Sequence, residues 1–168
     1  MAAMSTYTVK KRLVSVGRDY DVFDETGTAA FTIDGKVRFG RTFDIKDPSG
    51  QVLFTVKEKL LAIDRKYEID GPAGTGLVVH KTNSSDVGPM KFEVEGASGP
   101  RLHAEGNFIR DGFAVKRGDT KIASVSREQR TVVAEIFHVW TADGEDVALM
   151  LAITMAIVET DRWRGQTV

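Results

Sequence analysis

Apolar and polar residues alternate in short runs over most of the chain, as in Tyr20-Asp-Val-Phe, Phe43-Asp-Ile-Lys, Tyr67-Glu-Ile-Asp and Lys91-Phe-Glu-Val-Glu. A period of two places alternate side chains on opposite faces, so these runs predict half-buried β-strands. Turn chemistry separates them at close intervals: Asp24-Glu-Thr-Gly27, Asp47-Pro-Ser-Gly50, Gly71-Pro-Ala-Gly74, Gly96-Ala-Ser-Gly99 and Arg117-Gly-Asp119. Aspartate opening a four-residue turn and glycine closing it is the type I preference, and Pro48 suits the second position. Many short strands at this spacing predict antiparallel hairpins, hence a barrel or sandwich. Strands do not alternate with long helical patterns, which argues against a doubly wound α/β fold.

The pattern repeats. Residues 7–22, YTVKKRLVSVGRDYDV, align without gaps to residues 54–69, FTVKEKLLAIDRKYEI. Thr8/Thr55, Val9/Val56, Lys10/Lys57, Leu13/Leu60, Arg18/Arg65 and Tyr20/Tyr67 are identical, and pairs such as Tyr7/Phe54, Arg12/Lys59 and Val22/Ile69 are conservative. A half-period echo sets Tyr20-Asp-Val-x-Asp-x-x-Gly27 against Phe43-Asp-Ile-x-Asp-x-x-Gly50. A solenoid needs at least three stacked units, whereas two copies of a multi-hairpin unit suit a barrel.

Near the C-terminus the alternation stops. Val147-Ala-Leu-Met-Leu-Ala-Ile-Thr-Met-Ala-Ile-Val158 contains a single polar residue, Thr154, and predicts a helix at about residues 144–162. Asp143 is the expected N-cap, with Asp146 favouring the positive end of the dipole. Charged residues from Glu159 to Arg164 are expected to close it. A helix apolar at every angle has no solvent face and must be buried on all sides. Twelve residues reach only about 18 Å, short of a bilayer's hydrocarbon core of roughly 30 Å. A core helix is therefore expected. A barrel of about ten to twelve strands is too wide to be filled by its own side chains. The apolar helix is the candidate plug, with Met150 and Met155 as adaptable fillers.

Composition adds limits. The chain has 168 residues, 42% of them hydrophobic, 16 glycines and no cysteine. That length favours one domain over residues 1–168, and the absence of cysteine excludes disulfide scaffolds and cysteine zinc sites. Net charge is -1, with 13 basic and 11 acidic groups in residues 1–84 and 10 and 13 in residues 85–168. That balance is unlike the basic face of a nucleic-acid binder. The N-terminal MAAMSTYTV lacks the basic and apolar regions of a signal peptide, so a cytoplasmic protein with no transmembrane span is expected.

Several segments together resemble the LURP-one-related proteins, relatives of the tubby C-terminal domain and of phospholipid scramblases. They are the units Tyr7–Gly27 and Phe54–Gly74, the segment Gly106-Asn-Phe-Ile-Arg-Asp-Gly-Phe-Ala-Val, Lys121-Ile-Ala-Ser-Val-Ser-Arg127 and the apolar segment following Asp143. The order of these elements carries the resemblance over nearly the whole chain. It implies a tubby-like closed antiparallel barrel of about twelve strands around one apolar C-terminal helix. Plant members are linked to pathogen defence, tubby binds phosphoinositides, and scramblases act on membranes with calcium. The scramblases' cysteine-rich palmitoylation stretch is absent here.

Candidate chemistry is sparse. His80, His103 and His138 lie on separate predicted strands without paired ligand spacing, and no metal site or cofactor is assigned from them. No cysteine nucleophile, GxSxG elbow or P-loop is present, so no catalytic residue is assigned. Asp19, Asp21, Asp24 and Glu25 lack EF-hand spacing and read as a solvated strand and hairpin turn. Lys10 and Arg12 share one strand face, and their repeat equivalents Lys57 and Lys59 share another. If the repeats lie close together, these four cations converge on a headgroup phosphate; otherwise they are exposed strand positions guarding sheet edges. The expected role is a non-enzymatic binding or scaffold module for an anionic membrane lipid or a protein partner. The alternatives are a small-molecule carrier using the barrel lumen and an enzyme with a site at the barrel rim.

Overall fold

The computed structural model describes residues 3–14, 17–38, 40–59, 66–71, 76–82, 89–96, 101–107, 112–130 and 135–164. The strands are β1 (Met4–Lys11), β2 (Tyr20–Phe23), β3 (Ala29–Arg38), β4 (Gly40–Lys46), β5 (Val52–Glu58) and β6 (Lys66–Asp70). They continue as β7 (Leu77–Lys81), β8 (Met90–Glu95), β9 (Leu102–Asn107), β10 (Gly112–Arg117), β11 (Thr120–Arg130) and β12 (Glu135–Ala142), followed by helix α1 (Val147–Arg164). Each strand pairs antiparallel with its sequence neighbours, and β1 pairs with β12 from Met4↔Ala142 to Lys10↔Ile136, closing the barrel. Of the turns expected from sequence, the Gly71–Gly74 and Gly96–Gly99 segments fall largely outside the described residues.

The two repeat copies form the same hairpin at two places in the wall. Tyr20 and Tyr67 are buried, as are Val9 and Val56 and Val22 and Ile69. The Arg12 N–H donates to the Asp19 carbonyl at 2.8 Å, and the equivalent Lys59 N–H donates to the Lys66 carbonyl at 2.8 Å. The half-period echo is equally physical. Asp24 accepts the N–H groups of Thr26 and Thr28 at 2.9 and 3.0 Å, and Asp47 accepts those of Ser49 and Gln51 at 2.9 and 3.0 Å. Gly27 and Gly50 take φ of +81° and +87°, which glycine adopts without a Cβ penalty. A register shift follows in each hairpin, at Val22/Phe23 and Ile45/Lys46, as expected of a type I turn closed by a bulge.

Alternate wall residues such as Val9, Ile33, Phe43, Ile45, Val56, Tyr67 and Ile69 share one buried core with α1, which packs mainly against β4 and β5. From Met150 to Thr160 every side chain of the helix is buried. Thr154 and Thr160 are accommodated because each hydroxyl donates to the carbonyl four residues earlier, Met150 at 2.7 Å and Ala156 at 2.9 Å. The helix starts three residues later than residue 144 and is capped by Asp146, not Asp143. The Asp146 carboxylate accepts the Leu149 N–H at 3.2 Å, and its carbonyl takes the Met150 N–H at 3.0 Å. Asp143 instead donates its N–H to the Ala3 carbonyl at 3.0 Å. A turn through Gly144, at φ +84°, consumes the residues assigned to the first helical turn.

Candidate functional site

Antiparallel order makes β1, β3 and β5 run the same way, so the loops following β1 and β5 share one rim of the barrel. The helix returns from the opposite rim and ends at this one. Lys10 and Lys57 are exposed on the outer face of β1 and β5, and Arg12 and Lys59 are exposed just past the strand ends. All four sequence-predicted cations therefore stand along the same rim. They form two pairs, because β2, β3 and β4 separate β1 from β5. Four inter-strand steps of ~4.8 Å amount to about 19 Å along the wall, too far for a single phosphate to bridge.

The two pairs differ in company. Arg12 grips Asp21 in a forked contact, with Nε 3.0 Å from both carboxylate oxygens and a terminal nitrogen at 2.7 Å. That hydrogen bonding pushes the guanidinium pKa up, outweighing the opposing effect of desolvation. Lys10 lies 5.8 Å from the centre of the Phe23 ring. Beyond Arg12 the chain exposes two large apolar residues, Leu13 at 75% and Val14 at 94%. Their repeat equivalents, Leu60 and Leu61, lie outside the described residues.

Just inside the same rim is a buried ionic cluster. The Glu159 side chain is fully buried and accepts two hydrogen bonds from Arg18 at 2.7 and 2.9 Å, and it also accepts one from Arg41. Glu159 is therefore not the solvated end of the helix that its charge implied. Glycine places Arg18 there. A Cβ on Gly35 of β3 would overlap the Arg18 carbonyl, so only glycine lets the segment entering β2 lie directly on that strand. Asp19 fixes the approach by accepting the Gly35 N–H at 3.0 Å.

The acidic run of Asp19, Asp21, Asp24 and Glu25 is distributed among protein donors. Asp19 takes Gly35, Asp21 takes Arg12, Asp24 caps its own turn, and Glu25 accepts the Thr6 N–H at 2.9 Å. The histidines divide. His138 on β12 sits 2.6 Å from Glu128 and 3.4 Å from the Thr8 hydroxyl. His80 on β7 and His103 on β9 flank Glu93 of β8, each directly opposite it in register.

The family model described as LURP-one-related matches residues 5–158. The chain belongs to the LURP-one-related family. A relative from Arabidopsis thaliana, protein LURP-one-related 14, is 25% identical over 171 residues, covering 92% of this chain and 84% of its own. An X-ray structure of another Arabidopsis thaliana protein matches with a TM-score of 0.66 and 14% identity, covering 96% of this chain and 93% of that one. The latter likeness speaks for the fold alone.

In this LURP-one-related barrel, two groups escaped the sequence reading of function. One is the loop pair Leu13 and Val14, whose signal was a pair of apolar residues directly after Lys10-Lys-Arg12 in a predicted hairpin. The other is the outer-face pair Glu93 and Glu95, signalled by the same alternation that identified β8. Among the described residues, no helix is long and apolar enough to cross a membrane.

Proposed function

We propose that this rim docks on an anionic phospholipid surface, and that the protein is a non-enzymatic, cytoplasmic binding module. The observation that carries the reading is the exposure of Leu13 and Val14 beside Lys10 and Arg12 at the end of a hairpin. Exposed apolar side chains next to cations suit the interface of an anionic membrane, where the apolar groups enter the acyl boundary and the cations face headgroups. The spacing of the two basic pairs favours a planar array of headgroups over one cupped ligand. Each cation near such a surface contributes about 1 kcal/mol. Arg12 contributes less while Asp21 holds it. Burying one leucine contributes about 2 kcal/mol. The occupied lumen counts against a carrier that would hold its ligand inside the barrel.

Flotation with phosphatidylserine–phosphoinositide vesicles and with neutral vesicles tests this. Binding is expected to the anionic vesicles only, to weaken with salt, and to fall about tenfold or more on reversing Lys10, Lys57 and Lys59. Leu13→Asp combined with Val14→Asp is expected to reduce it by a similar factor. Equal binding to both vesicle types, or binding indifferent to both sets of changes, would overturn the proposal. Failure to bind anionic vesicles would instead direct attention to a protein partner.

A further inference from the structure

On the outer face of the barrel, three adjacent strands bring together His80 of β7, Glu93 and Glu95 of β8, and Arg101 and His103 at the start of β9. Alternation makes this grouping possible, since Phe92 and Val94 point into the core and their neighbours Glu93 and Glu95 point out together. The register then sets His80 and His103 on either side of Glu93. One potential ligand atom from each of His80, Glu93 and Glu95 lies within 4.8 Å of the other two.

The distances exceed those of the shortest ion pairs elsewhere in the barrel, although Lys36–Asp34, at 3.6 Å, is as open. Arg12–Asp21 and Arg117–Glu145 close to 2.7 Å, and Lys46–Asp34 to 3.1 Å. Here His80 Nε2 stands 4.0 Å from Glu93 Oε2 and 3.6 Å from Glu95 Oε1. Arg101 Nη1 stands at the same two distances, 4.0 and 3.6 Å, from the same two oxygens. Two nitrogen groups thus share one pair of carboxylate oxygens, and both stay beyond hydrogen-bond length. A tetrahedral ion with bonds of about 2.1 Å holds its ligand atoms about 3.4 Å apart, close to the separations of His80 Nε2 from the two oxygens.

We propose that His80, Glu93 and Glu95 bind a divalent transition-metal ion of the zinc class, in competition with the Arg101 guanidinium. One imidazole nitrogen and two carboxylate oxygens suit Zn2+, Co2+ or Ni2+, whereas Mg2+ and Ca2+ prefer oxygen-only sets. Arg101 is 66% exposed and can swing into solvent, replacing its charge on the two carboxylates with that of the ion. His103 Nδ1, 3.7 Å from Glu93 Oε1, acts on the other carboxylate oxygen and orients Glu93 without ligating.

The test is titration of the tag-free full chain with Zn2+, read by calorimetry. Expected is one ion per chain, with binding unaffected by excess Mg2+. His80→Ala and Glu95→Gln are each expected to weaken Zn2+ binding about a hundredfold, and His103→Ala about tenfold. Arg101→Ala is expected to tighten binding, a result that incidental chelation by surface histidines would not give. His138→Ala leaves it unchanged. All four altered side chains of the cluster face outward, and an unchanged circular dichroism melt without metal confirms folding. The proposal is overturned by absence of Zn2+ binding, by full retention in His80→Ala, or by an Arg101→Ala variant that binds no better than the parent. This site is independent of the lipid-docking rim, and vesicle flotation with and without Zn2+ separates the two.

Discussion

At the C-terminal end of α1, Glu159 meets Arg18 and Arg41 with its own side chain fully buried, whereas the turn entering the helix offers Glu145 to Arg117 at the surface. The chemistry is the same at both ends, a glutamate in the grip of arginine, and the surroundings differ. Arg117 makes a forked contact with Glu145 at 2.7 and 3.0 Å, but its side chain is 43% exposed. Water and salt screen that pair, so its net contribution is small. Glu159 has no water to fall back on, and an unpaired carboxylate there is costly. Two arginines on different elements are therefore directed at one carboxylate. Apolar packing holds the helix in the lumen along its length, while the buried cluster ties its later part to the β1–β2 connection and to β4.

Removing both arginines from Glu159 is the change with the largest expected effect. Arg18→Met with Arg41→Met takes two cations from a buried carboxylate and is expected to cost about 3–5 kcal/mol in a denaturant melt. For a chain of this size, that corresponds to a fall in Tm of about 6–20 °C. Adding Glu159→Met to the pair sharpens the point. Replacing a whole buried ionic cluster with apolar side chains is often neutral, so the triple variant is expected to recover most of the lost stability. A triple variant as unstable as the double would show that the cluster acts through something other than its charges.

Next in size is the apolar part of the same helix. Leu151 is fully buried between wall and helix, and Leu151→Ala is expected to cost about 2–4 kcal/mol through lost transfer energy and the cavity left behind. Unlike the arginine variants, this loss should be insensitive to salt. A cost below about 1 kcal/mol would mean that the barrel collapses around the helix, contrary to a close-packed lumen.

Strand alternation, the repeat and the apolar segment made the barrel and its plug legible, because each is a local pattern whose period reports a face. Tyr20 and Tyr67 could be matched from sequence, and they occupy equivalent core positions in the wall. The clusters were less legible because they depend on register and on rim geometry. Nothing local announces that Glu159 lies inside the barrel, since charge at the end of an apolar run ordinarily marks solvent. The same limit applies to His80 and His103, whose spacing of 23 residues gives no sign that both oppose Glu93. Whether Lys10, Arg12, Lys57 and Lys59 could converge depended on how many strands separate the repeat copies, a number that the repeat itself does not contain.

The smallest effect tests the exposed half of the comparison. Hydrogen bonding by Arg117 lowers the Glu145 pKa below its ordinary value of 4.5, outweighing the opposite push of desolvation. A carboxylate with a depressed folded-state pKa contributes stability at pH values above its unfolded pKa. That contribution disappears as pH falls through the folded value, so the relevant window lies below about pH 4.5. Arg117→Ala should therefore cost less than about 1 kcal/mol at pH 7, a cost reduced by salt. The difference between the variant and the parent should shrink as the pH is lowered below 4.5, where protonation of Glu145 removes the pair in both proteins. A difference that stays constant from pH 7 to acid would assign the role of Arg117 to packing of its aliphatic stem against the turn. The two ends of the helix would then differ in kind as well as in burial, with charge acting only where water is excluded.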